Sequence, residues 1–241
     1  MSETKHERVS RLLREGLGQP GSTIPSEAEL VRHYDVSRAT IRQALATLEA
    51  EGLIMSSQGS RRTVRDSTRW RWDMSSWEKA HNADADAWAN TIKTQGGTPY
   101  NDISVHVVQA TEDVAAALHI TARDRIYTRS RVRSVNGEPH QLSDSFFPGW
   151  LTDEDPGLIT PGDVAAKGGL LAAGGHPQAR FFDTLSARMP TAEESTKLRM
   201  TTGTPLLVHT RVGYDKDNRP LRYMITRMAA DKVQITYDVD A

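Results

Sequence analysis

Residues 37–52, SRATIRQALATLEAEG, constrain the fold more than any other stretch of this chain. Ile41, Leu45 and Leu48 recur at helical spacing, so they form one inward stripe. Ser37 is placed to cap the free N–H groups at the start, and Gly52 stops the helix. Arg38, Ala39, Thr40 and Arg42 crowd the first turn and a half. A helix that shows guanidinium and hydroxyl groups at its N-terminal end suits the major groove, where arginine pairs with guanine edges. A solvated helix face has the same composition, so the neighbouring residues must decide between the two.

Upstream, Ser26 and Glu29 have capping-box spacing and open a short helix carrying Leu30, Val31 and Tyr34, with Asp35-Val36 as a tight turn. The order is helix, turn, recognition helix. Downstream, residues 53–56 and 63–65 read as two short strands around Gln58-Gly59-Ser60-Arg61-Arg62, a wing with cations at or near its tip. Residues 5–17 place Val9, Leu12, Leu13 and Leu17 at helical spacing, giving a first helix that covers the helix-turn-helix core. Ile24-Pro25-Ser26-Glu27, then residues 36–45 (VSRATIRQAL) and 48–54 (LEAEGLI), resemble the winged helix-turn-helix of the GntR family of bacterial repressors. The resemblance implies that Arg38, Thr40 and Arg42 touch DNA, together with the wing around Gly59. The candidate DNA-facing set is therefore Ser26, Ser37, Arg38, Ala39, Thr40, Arg42, Gln58, Gly59, Ser60, Arg61 and Arg62. Many members carry arginine where this chain has Ala28, which removes one contact and alters the operator read.

At 241 residues without cysteine, the chain is long enough for two modest domains and needs no disulfide, which fits a reducing cytoplasm. No signal peptide and no bilayer-length apolar run are expected, so neither is a membrane partner. A net charge of -1 argues against a general nucleic-acid coat. Binding to DNA must come from a local patch, and Arg61, Arg62, Arg65, Arg69 and Arg71 stand together against Asp66 alone.

Three segments are expected: a winged domain over residues 1–66, a linker over 67–82, and a second domain over 83–241. The linker is polar and holds Trp70, Trp72 and Trp77, whose large apolar area suits anchoring it onto one of the domains. Trp88 and Ile92 mark one face of a short helix closed by Gly96-Gly97. A strand alternating Ile103, Val105 and Val107 follows, then a helix capped by Thr111, then a hairpin turning at Asn136-Gly137. The pattern returns about eighty residues later. Thr191 and Glu194 open a second helix, Leu198 falls where Leu118 did, Leu206 matches Ile126, Arg211-Val212 matches Arg131-Val132, and Pro220 follows its turn as Pro139 does. Two such units are expected to pack about a pseudo-two-fold, with both hairpins in one antiparallel sheet. Residues 168–175 are glycine-rich but lack the Gly-Lys-Ser/Thr ending of a phosphate loop, and read as a loose helix.

Arg131-Val132-Arg133, Asn136-Gly137-Glu138-Pro139, residues 144–148 (DSFFP), Gly203-Thr204-Pro205-Leu206 and Arg219-Pro220-Leu221 resemble the effector domain of the HutC subfamily, known as UTRA, with the chorismate-lyase fold. The fold class expected is therefore α+β: an N-terminal winged helix-turn-helix joined to an antiparallel-sheet effector domain. The resemblance implies a homodimer held largely by this domain, and an anionic effector at Arg131 and Arg133. Spacing alone puts Arg129, Arg131 and Arg133 on one sheet face, which is either solvated or an anion site. Paired guanidiniums suit oxyanions because their donors form a fixed fork. Ser145 adds a hydroxyl from the returning strand, and Arg180, Arg222 and Tyr223 complete the candidate effector set. Arg222 stands where sugar-phosphate-sensing members have an acidic residue, and Met228-Ala229-Ala230 replaces a tyrosine-arginine pattern. A carboxylated or otherwise anionic metabolite fits this pocket better than a sugar phosphate.

No catalytic residue, metal site or cofactor is expected. His106, His119, His140, His176 and His209 have no zinc-ligand spacing, and there is no nucleophile elbow. The reading is a transcriptional regulator released from an inverted-repeat operator by a small anion. A lyase-like enzyme with a DNA-binding appendage, or an effector-independent repressor of plasmid maintenance, are the alternatives, separated by ligand turnover and by ligand-dependent loss of operator binding.

Overall fold

A computed structural model describes residues 3–55, 61–65, 69–74, 87–160, 162, 169–200 and 203–238. They divide into two compact units whose main boundary falls between residues 68 and 69. In the first unit, α1 (Lys5–Glu15), α2 (Glu27–Tyr34) and α3 (Arg38–Ala50) enclose a core of Val9, Leu13, Ile24, Leu30, Ile41, Ala44, Leu45 and Leu48. Each helix starts on a side-chain cap: Thr4 and Ser26 form capping boxes with Glu7 and Glu29, and Ser37 accepts the Thr40 N–H at 3.1 Å. Asp35 makes the turn between α2 and α3 at φ 49°, a left-handed geometry that Asp tolerates. After Gly52, at φ 70°, β1 (Ile54–Met55) pairs antiparallel with β2 (Thr63–Val64), which is the base of the expected wing.

The second unit is built on a six-stranded antiparallel sheet in the order β4-β5-β6-β9-β8-β7. Its strands are β4 (Pro99–Gln109), β5 (Arg125–Val135), β6 (Glu138–Pro148), β7 (Arg180–Arg188), β8 (Leu206–Tyr214) and β9 (Pro220–Ala229). This order is its own mirror under exchange of β4-β5-β6 with β7-β8-β9. The expected duplication is therefore present, with β6 and β9 adjacent at the pseudo-two-fold. Between the first and second strands of each half lies one short helix, α5 (Glu112–Leu118) or α8 (Ala192–Lys197). Both halves send alternate residues to the same sheet face: Val114, Leu118, Phe146 and Tyr223 in one cluster, and Leu142, Leu198, Leu206, Val208 and Ile225 in the next.

The opposite face is covered by different elements. α4 (Ala87–Thr94) packs Trp88 and Ile92 against Val135, with Trp70 beside them. β3 (Trp70–Asp73) runs parallel to β10 (Val233–Thr236) and contributes Trp72 to a cluster with Met74, Met228 and Val233. The segment expected as an irregular linker thus contains a strand of the second unit; the alternation Trp70-Arg71-Trp72 is the period-two signal that its polar neighbours obscured. α6 (Gly149–Glu154), the following 3-10 turn Pro156–Ile159 and α7 (Gly169–Ala173) bury Leu151, Leu158 and Leu171 against Phe147 and Leu221.

Candidate functional site

In the winged unit, α3 buries Ile41, Ala44, Leu45 and Leu48 and turns Arg38, Ala39 and Arg42 outward. The Arg38 and Arg42 side chains are 69% and 62% exposed, and both donate to one carboxylate oxygen of Glu27, at 2.9 and 3.1 Å. Arg62, from the strand side of the wing, reaches the other oxygen at 3.5 Å and also pairs with Glu49 at 2.7 Å. Glu27 sits at the first position of α2 and is therefore the hub on which helix and wing arginines converge. The hydrogen bond from Arg38 holds its carboxyl below the ordinary carboxylate range. Sequence reading missed this role, because Glu27 only opens α2 beside its cap and carries the wrong charge for DNA. Thr40 points its hydroxyl at Ser37, 2.8 Å away, while Ser26 is held in its capping box with Glu29. Ala28 is exposed beside them. Arg61 is exposed at the start of the returning strand, whereas Gln58, Gly59 and Ser60 lie outside the described residues.

In the second unit, the strand register places the arginines. Arg131, Ser143, Thr226 and His209 form one row across β5, β6, β9 and β8. Arg129, Ser145, Met224, Arg211 and Asp183 form the row on one side, and Arg133, Gln141 and Met228 that on the other. This face is not solvated: Arg129 is 1% exposed and Arg133 6%, with Ser143, Ser145, Thr226 and His209 also buried. Burial of so many polar groups requires partners. Arg129 donates to the carbonyls of Leu158, Thr160 and Gly162 at 3.3, 2.6 and 2.5 Å. Arg211 forms a bidentate pair with Asp183 at 2.6 and 2.7 Å, and His209 Nε2 lies 2.6 Å from the same carboxylate. Burial would raise the Asp183 carboxyl, but the bonds from His209 and Arg211 outweigh it and hold it at about 2. Arg131 reaches Ser145 Oγ at 3.5 Å, and Arg133 lies over the Trp88 ring, 4.8 Å from its centroid. Trp72 meets His209 edge-on at 5.2 Å. Two tryptophans therefore wall a polar floor whose arginines suit an oxyanion. Trp77 lies outside the described residues.

The structure brings Arg131, Arg133 and Ser145 together on this floor, and Arg222 continues the alternation of Met224 and Thr226, with Nη2 against Met224 Sδ at 2.7 Å. It does not bring Arg180 or Tyr223 there. Tyr223 stacks on Phe146 in the cluster beneath α5, and Arg180 lies over Tyr214 at 3.9 Å while donating to Asn218. Period-two alternation separates Tyr223 from Arg222, so both cannot line one face of a strand. Thr226, Gln141, Arg211, Asp183 and His209 were missed; the pairing of β6 with β9 that assembles them is a long-range fact that neither hairpin announces. Among the described residues no group of three or more His, Asp or Glu is arranged to hold a metal, and no helix is long and apolar enough to cross a membrane.

Comparison with known proteins places both units. Residues 2–64 match the family described as bacterial regulatory proteins, gntR family, and residues 95–234 match the UTRA domain. The chain is 27% identical over 227 residues to the HTH-type transcriptional regulator GgaR of Escherichia coli (strain K12), covering 93% of this chain and 85% of the relative. It is 24% identical over 237 residues to the HTH-type transcriptional repressor NagR of Bacillus subtilis (strain 168), covering 97% and 92%. In fold it is similar to the crystal structure of PhnF from Mycobacterium smegmatis, with a TM-score of 0.61 and 22% identity over 99% of this chain and 100% of the other. With a gntR-type helix-turn-helix, and a UTRA domain spanning more than half of its length, the chain belongs to the UTRA-bearing branch of the GntR family of bacterial transcriptional regulators.

Proposed function

We propose that this regulator is a repressor that binds an inverted-repeat operator as a dimer and is released when a small anionic metabolite occupies the polar floor. The observation that carries the reading is the row of half-buried Arg131 with buried Ser143 and Thr226, flanked by buried Arg133 and Ser145. Burying several guanidiniums on one face is costly unless oxyanions or fixed dipoles meet them, and it confers recognition of planar or tetrahedral anions. The DNA half of the reading rests on Arg38, Arg42 and Arg62, which present donors on a helix end and a wing beside it. Two-fold symmetry of a dimer supplies two such helices, hence an inverted repeat. A thermal-shift screen against anionic metabolites identifies the effector, and operator binding is then measured with each hit. Replacing Arg131→Met and Arg133→Met together keeps the apolar stems and removes the forks. Response to the effector should vanish while operator affinity stays near wild type. Because coupling is reciprocal, operator DNA should weaken effector binding by the factor that effector weakens DNA binding. A double variant that still releases DNA at the same effector concentration places the anion site elsewhere.

A further inference from the structure

Between the tryptophans and the sheet lies a small cavity lined by Trp70, Trp72, Trp88, Thr91, His140 and Gln141. Its apolar walls come from β3 and α4, whereas two of its polar groups come from β6. His140 is 4% exposed and Gln141 1%. Among the described residues, neither amide atom of Gln141 meets a hydrogen-bond partner, and nor does Nδ1 of His140. Buried polar atoms in that condition are costly, so each calls for a physical account. The protonation of His140 follows from its other nitrogen. Nε2 lies 3.4 Å from the Lys232 carbonyl, and a carbonyl oxygen only accepts, so Nε2 carries the hydrogen. Burial, helped by the charges of Lys232 and Arg133, pushes the ring down to about 4. The imidazole is therefore neutral at pH 7, and Nδ1 holds a lone pair. From α4, Thr91 adds another: its hydroxyl hydrogen is committed to the Ala87 carbonyl at 2.9 Å, which leaves the oxygen as an acceptor.

Size and charge sort the occupants that could meet these atoms. The cavity is open to a water-sized sphere over about 10 Å3, roughly one sphere's worth and the least that admits a water. An organic group is too large for it. A cation is opposed by Lys232 and Arg133, whose charges already weigh against a proton on the ring. An anion needs donors, and both His140 Nδ1 and the Thr91 oxygen offer only lone pairs. We propose that one ordered water is bound here, donating its two hydrogens to His140 Nδ1 and Thr91 Oγ1 and making a third hydrogen bond with the Gln141 amide. Three partners is the usual complement of a buried water. The water joins α4 to β6, and α4 carries the Trp88 ring on which Arg133 rests at 4.8 Å. Gln141 is itself the cross-strand partner of Arg133. The joint thus braces the wall behind that arginine, and it stands whether or not Arg131 and Arg133 receive an anion.

A crystal structure of the full chain, at a resolution that orders buried solvent, is the direct test. One density peak should lie roughly 2.7–3.2 Å from both His140 Nδ1 and an atom of the Gln141 amide. No peak there, or a peak that meets only one of the two, overturns the proposal. A thermodynamic test uses Thr91→Val and Gln141→Leu, each of which removes one partner at similar volume. The two residues sit on different elements, so without a bridge their effects on the unfolding constant in urea should multiply to within about twofold. With the water, the first substitution already spoils the bridge and the second costs less. The double variant should therefore be more stable than the product of the single effects by more than about twofold, with circular dichroism unchanged. Simple multiplication of the two effects refutes the bridge. Should Gln141→Leu fail to fold, Gln141→Met serves in the same cycle, and the wild-type density decides independently of either variant.

Discussion

Replacing Glu27→Gln tests whether one carboxylate organises the arginines that meet DNA. In the structure Glu27 holds Arg38 at 2.9 Å, Arg42 at 3.1 Å and Arg62 at 3.5 Å, with its own side chain only 17% exposed. The two helix arginines are mostly in water, so each contributes at the level of an exposed pair, about 0.2–1 kcal/mol. Folding stability should therefore fall by no more than about 2 kcal/mol, a shift of several degrees in Tm. The larger effect should be on recognition. Glutamine keeps the shape and one acceptor but removes the charge that aims the guanidiniums, while leaving them to pair with any phosphate. Non-specific affinity should rise and its salt slope steepen by up to about 0.9 for each phosphate newly neutralised. Operator affinity should fall, because a misaimed arginine forfeits part of the roughly 1–3 kcal/mol of a bidentate guanine contact. The ratio of operator to random-sequence affinity should drop about tenfold, equivalent to ~1.4 kcal/mol. Fluorescence anisotropy on both duplexes across a salt series measures it. A ratio equal to wild type would show that Glu27 only stabilises the fold and that the arginines find DNA unaided.

Asp183→Asn strips the buried Arg211 of its counter-charge, and one-sided loss of a buried pair costs about 3–5 kcal/mol; chemical denaturation should show it, and a loss below about 1 kcal/mol would mean that the pair is solvated. In the wild type, the Asp183 carboxyl is depressed from 3.8 to about 2, so its contribution is present above pH 3.8 and is lost as pH falls towards 2. His140, buried and pushed down to about 4 chiefly by desolvation, is neutral in the fold, while the unfolded chain takes up a proton near pH 6.5. Stability should therefore decline from pH 6.5 towards pH 4 by up to about 3 kcal/mol from this group, and a His140→Gln variant measured by urea titration should lose that slope. Gly97→Ala would place a methyl 2.6 Å from Trp70 and 2.7 Å from Ile92, so it should destabilise by about 1–3 kcal/mol and perturb tryptophan emission; an unchanged Tm would show that Trp70 and Ile92 yield freely.

The winged unit was legible because its determinants are local. Ser26, Ser37 and Gly52 punctuate the helices, and Ile41, Leu45 and Leu48 mark the buried face. The duplicated sheet was legible for a related reason: Thr111 and Thr191 occupy N-cap positions and Pro139 and Pro220 follow their hairpin turns at offsets of about eighty residues, although only Thr191 makes the side-chain cap bond. What could not be read is which face a strand shows to what. Arg129, Arg131 and Arg133 share a side by alternation, but only the long-range covering by α4, β3 and the 3-10 turn makes that side dry. Tyr223 was grouped with Arg222 by proximity in sequence, and the pleat sent them to opposite faces. Glu27 escaped notice because its importance lies in three partners spread from residue 38 to residue 62.

The duplicated frame also shows how one half can be tuned without the other. Arg131 and Arg211 occupy equivalent places on β5 and β8, yet the cross-strand neighbour on the edge is Ile103 for the first and Asp183 for the second. A single codon at that edge position thus decides whether the arginine faces a carboxylate on the neighbouring edge strand. Gaining an acid at position 103 or losing the one at position 183 would change the ion pairing of one half, and in either case the backbone that bears the change stays the same.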